Sequence, residues 1–212
     1  GDTAVRLWDA EDWSEIGTPR QYPDLVMQVA WSPDGTRLAA VSGYKRISVW
    51  DAVTGTEAFG KEISDSAVRQ IAWSPDGAWL AAATDAGLWV WDAAGQAAFT
   101  AEGYSLLSLA WSPDGARVAG GTDYGQLLVW DAASGMLAYS LDGMSSVHDV
   151  AWSSDGTLLA SASDRIHIRD AATGQRLAEL RGHAGLVTEA AWSPDGTRLA
   201  STGADRTVRV WG

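Results

Sequence analysis

Ala30-Trp31-Ser32-Pro33-Asp34-Gly35 returns four more times with small changes, around Trp73, Trp111, Trp152 and Trp192, at separations of 42, 38, 41 and 40 residues. A period of that size marks an array whose units cannot bury their own apolar faces and must stack on neighbours. Within the phrase, Pro33 takes the second and Gly35 the fourth place of a type I turn, so Trp31 ends one strand and another begins just beyond.

Working outward, Val26–Trp31 is a short β-prone run and residues 37–41 resume an apolar run of strand length. A second turn at residues 42–46 leads into the alternating Ile47-Ser48-Val49-Trp50, and residues 51–55 turn the chain again. The more polar residues 56–61 suit an edge strand with one face in water. One unit is therefore four antiparallel strands, a to d. Turns every 8 to 12 residues leave no room for helices of ordinary length. The whole chain, 1–212, reads as a single array: a partial unit over 1–22, repeats over about 23–63, 64–101, 102–142 and 143–182, and last a, b and c strands over 183–212.

A second phrase recurs in step with the first. Strand c ends in Trp8-Asp9, Trp50-Asp51, Trp91-Asp92 and Trp130-Asp131, with Arg169 in the place of Trp before Asp170 and Trp211 followed by Gly212. Ten of the thirteen tryptophans lie in these two phrases, so they read as core wedges between stacked units rather than as a ligand box. Trp-Ser-Pro-Asp-Gly followed by Trp-Asp-Ala-x-x-Gly resembles the WD40 repeat of bacterial-type β-propeller arrays over essentially the whole chain. Trp in the place where that family usually has Phe is also similar to the more distant TolB-type propeller repeat. The resemblance implies an all-β propeller of four-stranded antiparallel blades, and the count of repeats in this sequence gives about five of them. It also implies a structural hydrogen-bond tetrad, found as a full set once, in His183, Ser201, Asp205 and Trp211. Asp85 precedes Trp91 without the His, and Tyr44 and Tyr124 stand in the corresponding place of two other units.

Composition narrows the function. Twenty-seven acidic against fifteen basic residues give a net charge of −12, which repels phosphate backbones and argues against nucleic acid. No cysteine and no apolar run of spanning length give the expectation of a cytoplasmic chain that does not enter a membrane. His148 and His167 are isolated, and Asp34, Asp76, Asp114, Asp155 and Asp195 each sit in a turn of a different unit, so neither metal nor other cofactor is expected. Phosphate-loop motifs are absent, and the innermost strands read Ala, Val, Leu and Trp, which ranks a propeller hydrolase last.

Binding information is expected where the copies disagree, on the face that gathers the d-to-a and b-to-c loops. Its candidates are Tyr22, Tyr44, Lys45, Arg46, Tyr104, Tyr124, Arg165 and Arg206, the residue types enriched at interface hot spots. The expected function is a non-catalytic scaffold for a protein or peptide partner or for copies of itself through the terminal blades. A start inside a blade, without Met, gives the alternative of a sensor fragment of a larger signalling protein. Strand counting leaves one strand too many for a simple ring. Either an N-terminal strand within residues 11–21 completes the last blade, or the ring is incomplete and is closed by another chain.

Overall fold

The computed structural model describes residues 3–63 and 66–212; Gly1, Asp2, Ser64 and Asp65, where the partial unit and the second repeat were expected to begin, lie outside the described residues. Among the described residues there are twenty-one strands and no helix. A hairpin of β1 (Ala4–Trp8) and β2 (Glu15–Gln21) comes first. Four four-stranded meanders follow. They are β3 to β6 (Val26–Trp31, Arg37–Ser42, Arg46–Asp51, Glu57–Glu62), β7 to β10 (Val68–Trp73, Trp79–Thr84, Gly87–Asp92, Ala97–Glu102), β11 to β14 (Leu106–Trp111, Arg117–Thr122, Leu127–Asp131, Leu137–Leu141) and β15 to β18 (Asp149–Trp152, Leu158–Ala162, Ile166–Asp170, Arg176–Leu180). A three-stranded sheet of β19 (Val187–Trp192), β20 (Leu199–Gly203) and β21 (Val208–Trp211) comes last.

Burial follows the place of each strand in its blade. Strands b and c are covered on both faces by neighbouring blades and are apolar almost throughout: Leu38 to Val41, Leu80 to Ala83 and Leu127 to Trp130 are all buried. The d strands β6 and β10 alternate exposed and half-buried residues, as an outer edge requires. The core is therefore a series of layers between blades. In one of them Ala39, Val41, Ile47 and Val49 of the first full blade pack on Val68, Ile71, Trp73 and Leu80 of the second.

A polar register is superposed on that packing. The indole Nε1–H of each strand-a tryptophan after Trp31 donates to the carbonyl of the alanine just before the corresponding tryptophan in the preceding blade. The bonds are Trp73 to Ala30 and Trp111 to Ala72, both 3.1 Å, Trp152 to Ala110, 3.1 Å, and Trp192 to Ala151, 3.2 Å. Three residues before the tryptophans of three blades, a polar side chain reaches forward to a backbone N–H of the next blade; Ser108, at the same place before Trp111, is buried with no partner for its Oγ. Gln28 Oε1 accepts from Ile71 N at 2.9 Å, Gln70 Oε1 from Leu109 N at 2.8 Å, and Asp149 Oδ2 from Ala190 N at 2.8 Å. In β3 and β7 a register shift falls just before this residue, so Met27 and Arg69 are the bulged residues and the glutamine after each stays paired in its own sheet.

The core reading of the tryptophans holds inside the array and fails at its start. Trp73 and Trp111 are 7% and 8% exposed, whereas Trp31 is 51% exposed and Trp8 54%. Trp31 has the same local sequence as the others but, among the described residues, no strand a before it to cover its ring. Closure of the last blade by the strand within residues 11–21 does not occur. β2 pairs with β1, in register Ala4 with Gln21 and Trp8 with Glu15, and β21 is a free edge.

Trp111→Ala removes a buried ring and strands the Ala72 carbonyl, so it is expected to cost about 3–5 kcal/mol in denaturant unfolding; Trp31→Ala should cost well under half of that. Burial raises the Asp149 carboxyl to about 6, with the Ala190 N–H opposing the shift. The folded state then binds more protons than the unfolded between about pH 4 and 6, so this group's contribution falls as pH rises through that window. Asp149→Asn, which keeps an acceptor and loses the charge, should raise stability by about 1–3 kcal/mol above pH 6 and leave it unchanged below pH 4, read from melting curves across pH.

Candidate interaction face and the buried tetrad

Each Ser-Pro-Asp-Gly turn is closed by its own side chains. In the first, Ser32 Oγ–H donates to Asp34 Oδ1 at 2.5 Å and accepts from Arg37 N at 2.9 Å, while Gly35 N closes the turn on Ser32 O at 2.9 Å. The same serine–aspartate bond recurs at 2.5 to 2.6 Å in the other four. These hydrogen bonds, the serine's first, hold the carboxyls of Asp34 and Asp155 down to about 2. On the same face Asp51, Asp131 and Asp170 of the second phrase each cap a turn through the backbone N–H and hydroxyl of Thr54, Ser134 and Thr173. The aspartates of both phrases are thus spent on local turns, and among the described residues no three His, Asp or Glu converge as metal ligands.

On the opposite face the last blade holds a chain of hydrogen bonds with one polarity. Trp211 Nε1–H can only donate, and it donates to Ser201 Oγ at 2.9 Å. The single O–H of Ser201 then goes to His183 Nε2, also 2.9 Å away, and this leaves the ring proton on Nδ1, which meets Asp205 Oδ1 at 3.0 Å. Asp205 also accepts from Ala184 N at 2.9 Å and from Thr207 Oγ1 at 2.8 Å. The Ala184 N–H first, then His183, holds its carboxyl far below the usual range. The residue types are those of a hydrolytic triad, but Ser201 is 2% exposed and its oxygen is already engaged by the indole. A substrate carbonyl has no approach, so the arrangement acts as a clamp joining the loop before β19 to β20 and β21.

In other blades the clamp is rebuilt from other residues. Tyr22 stands nine residues before Trp31, as His183 stands before Trp192, and its ring packs on Trp50 at 5.8 Å between centroids. Tyr22 is only 9% exposed, and burial pushes its phenol up to about 12. Tyr104 is half-buried, edge-on to Trp130 at 5.9 Å. These two candidates therefore belong to blade packing and are removed from the exposed face. At the serine position lie Ala40, Ala82 and Gly120; a Cβ on Gly120 would come within 3.0 Å of the Trp130 ring. Where Arg169 replaces the tryptophan, it is buried with Nη1 on Gly174 O at 3.1 Å, and Met144 Sδ lies near both its Nη2 and Ser161 Oγ, at 3.9 and 3.4 Å.

Of the remaining candidates, Arg46 is paired with Glu57 at 3.0 Å, and Arg165 with Asp164 and Glu179 at 2.7 Å each. Tyr44, Lys45, Tyr124 and Arg206 are exposed on b-to-c turns. Tyr44 and Arg206 hold φ of 60° and 64°, the left-handed region that glycine occupies without strain. Tyr44 lines a hollow of about 300 Å³ with Met27, Gln28, Val41, Val68 and Arg69, and its carbonyl accepts from Val68 N, so the turn is tied to the next blade. The structure does not bring Tyr124, Arg165 or Arg206 into this hollow. Sequence reasoning missed Met27 and Arg69 because both lie within strands. Arg69 makes a two-pronged ion pair with Asp85, at 2.6 and 3.0 Å, and the absence of a histidine before that aspartate was the available signal.

The profile of the family described as WD domain, G-beta repeat matches residues 14–51, 60–92, 96–131, 135–166 and 174–212. The matches cover well over half of the chain, which belongs to the WD40-repeat propeller family. That family is typically a non-catalytic scaffold for protein–protein interaction. The matches run d, a, b, c, straddling two sheets, except that the fourth stops at Ile166, the first residue of its strand c; β1 lies outside all five and is the surplus strand in the count. No curated protein matches the chain. No helix among the described residues is long and apolar enough to cross a membrane.

His183→Ala leaves the Ser201 O–H and the Asp205 carboxylate without their partner and should lower the melting temperature, with amide exchange rising first in β19 to β21. Because the folded Asp205 carboxyl is depressed, its stabilisation is complete above the unfolded value near 4 and is lost as pH falls below it. Asp205→Ala should therefore depress the melting temperature at pH 7 and change it little in strong acid.

Proposed function

We propose that this chain is a non-catalytic scaffold that binds a protein or peptide across the face of d-to-a and b-to-c loops, centred on the hollow beside Tyr44. The observation that carries this reading is the conformation of Tyr44. A large aromatic at φ of 60° costs on the order of 1–2 kcal/mol relative to glycine, and its side chain is nonetheless exposed instead of being used to fill the core. Met27 supplies an adaptable apolar neighbour, and the Arg69–Asp85 pair supplies charge of both signs at the rim. Tyr124, 81% exposed on the equivalent turn two blades along, extends the same face.

Panning a displayed peptide library against the immobilised protein tests this directly. Enriched peptides are expected to bind Tyr44→Gly at least about tenfold more weakly, a change of about 1.4 kcal/mol, while the melting temperature stays level or rises because the turn strain is relieved. Equal binding to Tyr44→Gly and to Tyr124→Ser would place the site off this face.

A further inference from the structure

The fourth full blade, β15 to β18, carries the buried clamp without a strong acceptor. In the last blade the Ser201 hydroxyl is received by His183 Nε2 at 2.9 Å, and the Trp211 indole donates to that serine. Ser161 stands in the serine's place and Arg169 in the tryptophan's. The acceptor these two share is the thioether of Met144, whose Sδ lies 3.4 Å from Ser161 Oγ and 3.9 Å from Arg169 Nη2. A thioether sulfur accepts weakly, whereas a guanidinium has five donors and is matched best by an anionic oxygen. Arg169 has little else to bind. It is 8% exposed, its Nη1 reaches Gly174 O at 3.1 Å, and its Nε is buried without a partner. Among the described residues no carboxylate pairs with it. Burial first, and then the charge of Arg176, lowers its pKa, as befits a cation held without an anion. Met144 itself is half-buried in the loop between β14 and β15, so part of its side chain meets solvent while its sulfur faces buried donors.

We propose that Met144 is a site of reversible oxidation, and that its sulfoxide supplies the acceptor that Ser161 and Arg169 lack. The oxidant is a hydroperoxide, of which hydrogen peroxide is the smallest. A sulfur lone pair attacks one peroxide oxygen, and the O–O bond breaks as the S–O bond forms. The departing hydroxide takes the proton carried over on the transferred oxygen and leaves as water; sulfur is oxidised by two electrons and the peroxide is reduced by two. The 3.9 Å between Nη2 and Sδ is longer than a direct hydrogen bond and leaves room for the new oxygen, and the unbranched side chain has the rotational freedom to turn it toward both donors. Oxidation of a core methionine ordinarily disrupts packing, because it leaves a polar oxygen among apolar atoms. At Met144 it exchanges a weak acceptor for a strong one beside a buried cation, so the sign is reversed. The loop is tied to the b-to-c turn that carries Tyr124: Met144 N–H donates to Gly125 O at 3.4 Å and Ser146 Oγ–H to Asp123 O at 2.7 Å. Oxidation therefore tightens one edge of the loop face, and the inference does not depend on that face binding a peptide.

Met27→Leu combined with Met136→Leu leaves Met144 as the one methionine of the chain and gives the background for the test. Hydrogen peroxide is titrated in, oxidation is followed by mass spectrometry, and the melting temperatures of the reduced and oxidised forms are compared at neutral pH. Oxidised Met144 is expected to raise the melting temperature by about 2–4 °C, the shift that one hydrogen bond of ordinary strength gives in a domain of this size. Amide exchange at Met144 and Val147 should slow at least about threefold. Methionine sulfoxide reductases of both epimer specificities should return the oxidised protein to its starting melting temperature. Ser161→Ala should at least halve the gain and Arg169→Leu abolish it, while Met144→Gln, whose amide oxygen stands in for the sulfoxide, should carry a gain without peroxide. If Arg169→Leu does not fold, Ser161→Ala and Met144→Gln make the comparison. A Met144 that stays reduced while Met27 and Met136 of the wild type are oxidised overturns the proposal. So does an oxidised form that melts at or below the reduced one, and so does a gain undiminished in Ser161→Ala.

Discussion

The hydrogen bond from one indole to the alanine carbonyl of the preceding blade sets the frame for the array. An apolar layer between two sheets is non-directional and would tolerate sliding, whereas a buried N–H and a buried carbonyl fix one register. The bond repeats at 3.1 to 3.2 Å across four interfaces, so adjacent blades are placed by the same pair of atoms each time. It also gives a reason for tryptophan where related repeats usually carry phenylalanine. Phenylalanine would fill the layer and leave the carbonyl unpaired, while tryptophan does both jobs with one side chain.

Around that frame the remaining polar residues are divided between two tasks. Ser and Asp of each first phrase build a turn, and Asp of each second phrase builds another, so the face they share is repetitive and self-satisfied. On the other face the clamp is variable: His183 with Ser201 in the last blade, Tyr22 over Trp50 with Ala40 beneath, and Met144 with Ser161 and Arg169. Removing the serine removes the acceptor for the indole, and the histidine then has nothing to receive. Substitution by an alanine or glycine and an aromatic ring exchanges a polar chain for packing, and in the first full blade it leaves the Tyr22 hydroxyl buried without a hydrogen-bond partner.

Strand order, turn chemistry and the burial of Trp50, Trp91 and Trp130 were legible in the sequence because each depends on residues within one repeat. Tyr22 was misread as an exposed candidate because its role depends on a ring in the next sheet, and an aromatic in a loop looks the same from sequence whether it points at water or at Trp50. Arg46 and Arg165 were legible as loop cations, but their partners Glu57 and Glu179 lie on the neighbouring strand d, and pairing is set by cross-strand register. Trp31 shows the limit most plainly. Its local sequence is that of a core residue, and its exposure is decided by what precedes it in space.

The phase of the repeat explains how an array of identical joints comes to have two unlike ends. The sequence unit runs d, a, b, c, while the sheet runs a, b, c, d, so every unit donates its first strand to the blade before it. Five units then make four complete blades, one strand d without a blade at the start and one blade without a strand d at the end. In a repeat protein, stability is a sum of unit and interface terms, and terminal units normally carry a polar outer face that ends the series. The outer faces of the described array carry Val29 and Trp31 on one side and Val208 and Val210 on the other, all largely exposed, so both have the apolar composition of the joints between blades and not that of a capping unit.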